Sequence, residues 1–281
     1  MKEVLNNLSK QQKICLSLWA VYSVLTLIGA FCHENWGDEC QAWVIVRDND
    51  LAGIFNALKY EGHPPLWYMI LFPFVKLGFP LITLSLISWT ISVITAYLIM
   101  TRSPFNTGIK AIIIFSCGFL FYNSVVSRIY CVIVLLLCLL AMIYKDRKKH
   151  PVIFGLLVGL LAQTHVIMSG LVGIIGIYMI IDFFKDFKTN TAKKNWLNIF
   201  GLGLAGIGVI FLVLPLLSST SSNNVVAGTD FSLNILWRRF LKIFSCIGKN
   251  LFFDIGENAI LGDILGYIVT VLIVISLFFM L

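Results

Sequence analysis

ICLSLWAVYSVLTLIGAF, residues 14–31, contains no charged side chain over its whole length. A helix needs roughly twenty apolar residues to cross a bilayer, so this stretch predicts a membrane span. Lys2, Lys10 and Lys13 precede it, which places the N-terminus in the cytoplasm. No small-residue cleavage site follows, and the run is long. It therefore reads as a retained span and not as a signal peptide.

The rest of the chain repeats the pattern. Apolar runs cover residues 64–79, 81–100, 109–122, 129–144, 152–163, 166–184, 196–217 and 260–281. Of the 281 residues, 59% are hydrophobic and 12% charged, whereas a soluble domain is about half apolar and about a quarter charged. The mean hydropathy is +0.91. The net charge of +7 comes from 21 basic and 14 acidic residues. The basic ones cluster in short loops, an orientation signal for a membrane protein, so nucleic acid is not a partner. The expected fold is all-α: one domain over residues 1–281, a polytopic transmembrane bundle of about eight to ten apolar helices. It is expected in the plasma membrane of the cell envelope.

Residues 33–62 form the first extracytoplasmic loop. Leu51, Ile54, Phe55 and Leu58 recur at helical spacing after Asp50, and 38–48 suits a second short helix. Both are expected to lie flat at the membrane surface. KDRKKH (145–150) and KDFKTNTAKK (185–194) are expected in the cytoplasm, so the hairpin tip near His165 lies outside. His63 outside and Lys145 inside require an odd number of crossings, yet four apolar runs lie between them. Either one run is re-entrant or two make a single tilted helix. An outer loop at 218–258 carries an amphipathic pattern, Leu233, Leu236, Trp237, Phe240 and Phe244 against Arg238, Lys242 and Lys249, expected as an interfacial helix. The chain ends inside an apolar run at Leu281, as a partial polypeptide would.

Cys117, Cys131 and Cys138 lie inside apolar runs and read as small buried hydrophobes. Cys32 and Cys40 flank the first loop and are expected as free thiols, with a disulfide between them as the less favoured alternative; no CxxC spacing suggests a metal. Gly155 with Gly159, and Gly170, Gly173 and Gly176, are expected at close helix contacts.

Polar groups that carry chemistry cluster at the expected outer face. NWGDECQAW contains the adjacent carboxylates Asp38 and Glu39; KYEGHPPLWY contains Glu61, His63, Pro64 and Pro65; NSVVSRIY contains Arg128 and Tyr130; QTHVIMSG contains Thr164 and His165. Each has an ordinary reading as well. Acidic pairs end solvated loops, prolines favour a first helical turn, Trp67 and Tyr68 suit the interface, and a lone histidine is most often hydrogen-bonded structure. An arginine between apolar runs, however, costs roughly 2.5–3.5 kcal/mol on the insertion scale unless it is paired or snorkels.

The order of these groups, over about Trp36 to Gly170, resembles the GT-C superfamily of membrane glycosyltransferases. The nearest branch is that of the protein O-mannosyltransferases and aminoarabinose transferases. On this resemblance the family aspartate falls on Asp38, its acidic neighbour on Glu39, its His-Pro-Pro on His63, Pro64 and Pro65, its arginine on Arg128 and its Thr-His on Thr164 and His165. Many members have an arginine three residues after the aspartate. Here that residue is Gln41, and Arg47 is the candidate substitute. The family's further C-terminal spans or soluble region have no counterpart here.

The resemblance implies transfer of a sugar from a polyprenyl-phosphate donor to an acceptor hydroxyl, with inversion. The acceptor is a protein, lipid or glycan. Asp38 is the expected base, with Glu39 second. His63 and Arg128 are expected at the lipid phosphate, with Tyr130, His165, Glu61 and Arg47 as further binding residues. Asp38, Glu39 and His63 are candidate ligands of a divalent metal, which the sequence does not demand; no other cofactor is indicated. Three other readings stand beside this one: a transporter or flippase of a lipid-linked or amphipathic substrate, for which no internal repeat is seen; a surface-polysaccharide polymerase or ligase; and a non-catalytic scaffold.

Overall fold

Ser9 starts the first helix. Its hydroxyl accepts the Gln12 N–H at 3.2 Å, and the Gln12 side chain accepts the Ser9 N–H at 2.9 Å, a reciprocal cap. From this cap α1 (Lys10–Cys32) runs for 23 residues. The computed structural model describes the backbone of residues 9–61, 63–188 and 195–218, and the side chains of 9–58, 63–185 and 197–211. The expected interfacial helix within 218–258 and the expected span 260–281 lie outside the described residues.

After α1 come α2 (Gly37–Asp48), α3 (Leu51–Glu61), α4 (Leu66–Lys76), α5 (Ile82–Arg102), α6 (Thr107–Ile114), α7 (Tyr130–Ile143), α8 (Pro151–Ala162), α9 (Ser169–Lys188) and α10 (Asn195–Ser218). The described residues form no strand. Three of the described stretches are long and apolar enough to cross a membrane: Lys10–Cys32, Ile82–Arg102 and Val166–Lys185. Val21, Val24, Leu25 and Ile28 of α1 and Ile174, Ile177 and Ile181 of α9 are exposed. Apolar faces of this size mark a surface that meets lipid or a partner.

α1 and α5 pack antiparallel. The Trp19 indole donates to the Val93 carbonyl and the Trp89 indole to the Ser23 carbonyl, both at 3.0 Å. Gln11 meets Thr107 beyond one end of the pair, and Asn35 meets Ser85 near the other. The end that holds Cys32 and Ile82 is called the upper end below. Tyr22, Ala96, Met100, Ile114 and Phe119 fill the space between α1, α5 and the α6 segment. A second core gathers Leu71, Leu84, Leu136, Val158 and Leu161 from α4, α5, α7 and α8.

The run 109–122 is not one helix. α6 stops at Ile114, and a single wide turn, Gly118–Tyr122, follows. Ser116 is the cause: its hydroxyl donates to the Ile113 carbonyl at 2.8 Å and accepts the Phe119 N–H at 3.3 Å, taking the place of helical bonds. The chain from Asn123 to Arg128 then runs without regular helix to α7. A stripe of hydroxyls on one face of α5 satisfies it. Ser88 donates to the Val126 carbonyl, Ser92 to the Asn123 carbonyl, and Ser85 meets the Ser127 hydroxyl. Irregular backbone in an apolar bundle needs such partners.

The run 64–79 does not connect the two ends of the bundle. Its helix, α4, has 11 residues, about 16 Å of rise against roughly 30 Å of hydrocarbon. Leu66 N–H donates to the Gln163 carbonyl at 3.2 Å, and Lys76 Nζ to the Arg47 carbonyl at 3.0 Å. Gly78, at φ +78°, closes α4: its N–H reaches the Val75 carbonyl and Phe79 N–H reaches Phe74, a Schellman turn. The chain thus returns to the upper end at Ile82. α5, the α6 segment and α7 then link the two ends, an odd number of passes between His63 and Lys145.

α8 and α10 run side by side at glycine distance. A methyl group added to Gly155 would meet the Gly201 carbonyl, and one added to Gly208 would meet Gly159 Cα. Gly170, Gly173 and Gly176, expected at close contacts too, show none among the described residues: an added methyl meets nothing there within 4 Å. Gly155→Ala should therefore force the helices apart and lower the thermal midpoint in detergent, by overpacking of roughly 1–3 kcal/mol. Gly173→Ala should leave it unchanged or raise it, because alanine is the better helix former by about 1 kcal/mol. Equal midpoints for the two variants would contradict the α8–α10 contact.

Candidate functional site

Consecutive residues of a helix point about 100° apart, so Asp38 and Glu39 in the first turn of α2 cannot share one task. Glu39 turns inward and is 0% exposed. Its carboxylate accepts the Trp36 N–H at 2.7 Å, meets His33 Nε2 at 2.9 Å and accepts the Ser127 N–H. It caps α2 and fastens the start of the first loop to the segment before α7. This corrects the expectation of Glu39 as a second base: both of its oxygens are already engaged, away from solvent.

Asp38 turns outward. Its Oδ2 pairs with Arg128 Nη1 at 2.5 Å, the side chains being 65% and 21% exposed. The partners are ninety residues apart in sequence, and the Glu39–Ser127 bond is what places Arg128 within reach. The Arg128 guanidinium also lies 5.9 Å from the Tyr130 ring centre. Tyr130 stacks on His165 at 6.4 Å, and His165 lies 5.1 Å from His63. The Leu66–Gln163 bond holds the two histidine-bearing turns together.

Asp38, His63 and Arg128 border a cleft of about 200 Å³ at the upper end, with Tyr130 and His165 outside its lining. α2 lines it with Asp38 and Gln41, the turn before α4 with His63 and Pro64, and α4 with Trp67 and Tyr68. Arg128, Ile129 and Thr164 complete it. Thr164 is 1% exposed and donates to the Leu161 carbonyl at 2.6 Å. The cleft thus combines one carboxylate, one guanidinium and one imidazole, with His165 set behind His63.

Both imidazoles are held below the usual histidine range. For His63 the first cause is burial, then Arg128 nearby, with Asp38 opposing. For His165 it is burial, then His63 and Arg128. Burial thus favours the neutral imidazole at both positions. His165 Nδ1 accepts the Ile167 N–H at 3.2 Å, so its own proton is on Nε2.

Two other expectations are corrected. Arg47 does not join the cleft. It pairs with its neighbour Asp48 at 2.7 Å on the exposed surface, nine residues along α2 from Asp38, about 13 Å by helical rise. The set Asp38, Glu39 and His63 does not form a metal centre: Glu39 is engaged elsewhere, and no group of three or more suitable donors gathers among the described residues. Glu61 ends α3, and its side chain lies outside the described residues. Cys32 and Cys40 are free thiols.

Trp67 and Tyr68, read from sequence as interface aromatics, are each 5% exposed and line the cleft. Their position after His-Pro-Pro was the available signal. The spacing of Trp36 and Glu39 signals a capping role for the glutamate, but nothing in the spacing reveals His33 or Ser127 as its partners. No protein-family model, no curated protein and no solved structure matches this chain.

Glu39→Ala should strand the Trp36 and Ser127 N–H groups, at about 1–3 kcal/mol each, and lower the thermal midpoint by several degrees. Asp38→Asn should leave the midpoint near wild type, because an exposed ion pair contributes about 0–1 kcal/mol. A midpoint unaffected by Glu39→Ala would remove the carboxylate from its anchoring role.

The histidines give a pH signature. Their folded-state values lie below the ordinary value of 6.5. Between the two, the unfolded chain binds more protons than the folded one, so stability falls as pH drops below about 6.5 and levels off once the folded histidines titrate. A His63→Gln, His165→Gln variant should lose less stability than wild type between pH 7 and pH 5, as read by thermal midpoints. Parallel curves would contradict the assignment.

Proposed function

We propose that this chain is a multi-span membrane protein whose cleft binds a polyprenyl-phosphate-linked sugar and transfers the sugar to an acceptor hydroxyl at the extracytoplasmic face. The observation that carries this reading is convergence. Asp38, His63, Arg128 and Thr164 come from distant segments and line one cleft, with His165 against His63. These are the positions on which the motifs of the GT-C glycosyltransferases fall. The resemblance supplies the reaction class, and the cleft has the groups that such a reaction needs.

The reading extends the three candidate spans to a full bundle whose helices alternate between two ends. Lys10, Lys13, Arg102, Lys110 and the cluster at 145–149 lie at the end away from the cleft. By the positive-inside rule that end is cytoplasmic, and the cleft faces the other side.

In the proposed reaction the acceptor oxygen attacks the anomeric carbon from the face opposite the lipid phosphate. The carbon–oxygen bond to the phosphate breaks, its electron pair leaves with the phosphate, and configuration inverts. The acceptor proton passes to Asp38. Arg128 steadies the departing phosphate through a charge-assisted contact. In the free protein Arg128 holds Asp38, so donor binding exchanges carboxylate for phosphate as the arginine's partner and frees Asp38 to act as base. An exposed pair is weak enough for this exchange.

The buried hydroxyls bear on the rival reading of a transporter. Ser88, Ser92 and Thr95 all donate to backbone carbonyls. That favours a site at the end of the bundle over a polar path through it.

Asp38→Asn should reduce transfer of labelled sugar from a polyprenyl-phosphate donor by about 10²- to 10⁴-fold, the usual contribution of a positioned base, with membrane insertion intact. Arg128→Ala should weaken donor use. Near wild-type transfer by Asp38→Asn would refute the base assignment. Label that crosses sealed vesicles without forming a covalent product would mark a transporter.

A further inference from the structure

Trp67 stands in the first turn of α4, 5% exposed, on the wall of the cleft. Its indole Nε1 is buried and has no hydrogen-bond partner among the described residues. Buried indole N–H groups are ordinarily paired, and Trp19 and Trp89 follow that rule: each donates to a carbonyl at 3.0 Å. A buried donor left unmatched is destabilising, and here the side chain that carries it lines a cavity. Thr164 borders the same cavity, but its hydroxyl is directed to the Leu161 carbonyl.

We infer that Trp67 is a ligand-binding residue of the cleft, whose indole N–H donates to an oxygen of the bound donor molecule. The inference rests on the reading of the cleft as the donor site. The chemistry asked of the ligand is specific. Asp38 is engaged by Arg128, and an indole N–H only donates, so the ligand atom at Trp67 is an acceptor oxygen. An indole N–H is neutral, rigid and cannot titrate. It therefore fixes the position of that oxygen without adding charge beside Arg128. A phosphate oxygen and a sugar hydroxyl oxygen share this chemistry, and the two are separable by experiment.

The test is a binding titration of the full chain in nanodiscs with two probes, a polyprenyl phosphate and a polyprenyl-phosphate hexose. Trp67→Phe removes the donor. Benzothienylalanine at position 67, which replaces the N–H by sulfur at nearly the same shape, guards against a packing effect of the phenylalanine. The benzothienylalanine variant should keep the wild-type thermal midpoint or exceed it, because an unmatched donor has been removed, whereas Trp67→Phe leaves space in the core and lowers it; in both, the hexose probe binds about tenfold more weakly, one hydrogen bond's worth. Equal loss for both probes assigns the oxygen to the phosphate; loss confined to the hexose probe assigns it to the sugar. Wild-type affinity of both variants for both probes, where the wild-type protein itself binds them, overturns the inference and leaves the proposed function standing. A wild-type protein that binds neither probe overturns the donor reading and the inference with it.

Discussion

The buried carboxylate of Glu39 is the constraint on which the upper end of the molecule depends. Removed from solvent, it must have its oxygens satisfied, and it finds N–H donors on the cap of α2 and on the segment before α7, with His33 beside them. Burying a charge is unfavourable unless it is matched in this way. Once matched, it fixes the relative placement of three chain segments. Asp38 precedes Glu39 by one residue and Arg128 follows Ser127 by one. Anchoring the inner pair therefore brings the outer pair together, and the exposed ion pair at the mouth of the cleft is a consequence of the buried contact beneath it.

The same need for satisfied polar groups shapes the rest of the bundle. The chain between the α6 segment and α7 departs from helix, and an apolar interior offers no water to its carbonyls. The serines of α5, spaced by three and four residues along one face, supply the missing donors. Where α8 and α10 touch, glycines bring backbone against backbone, which small residues allow in a lipid environment. The irregular stretches are thus held from inside, and the ends of the helices are free to carry chemistry.

Much of this was legible in the sequence. Length without charge marked residues 14–31 and 81–100, where the helices Lys10–Cys32 and Ile82–Arg102 stand, and the order of Asp38, His63, Arg128 and Thr164-His165 pointed to one shared place. What escaped had a physical cause. The difference between Asp38 and Glu39 is one of direction around a helix, which identical chemistry and adjacent positions conceal. The failure of residues 64–79 to connect the two ends depends on the Gly78 turn and on the shortness of α4, not on hydropathy. Arg47 looked like a substitute for the missing arginine because separation along a helix is easily underestimated from sequence spacing. The break after Ile114 depends on what one serine hydroxyl bonds to, and residue type alone does not show it.

The proposal joins these pieces: a cleft assembled by a buried anchor, an arginine that changes partner from carboxylate to phosphate, and a carboxylate released by that change. The most direct measurement is a structure of the protein in a lipid nanodisc with a polyprenyl-phosphate-linked sugar bound. The account predicts phosphate density beside Arg128 and His63, the sugar toward Asp38, and the Asp38–Arg128 contact opened while Glu39 keeps Trp36 and Ser127. Donor density elsewhere on the molecule, with the Asp38–Arg128 pair still closed, would contradict it.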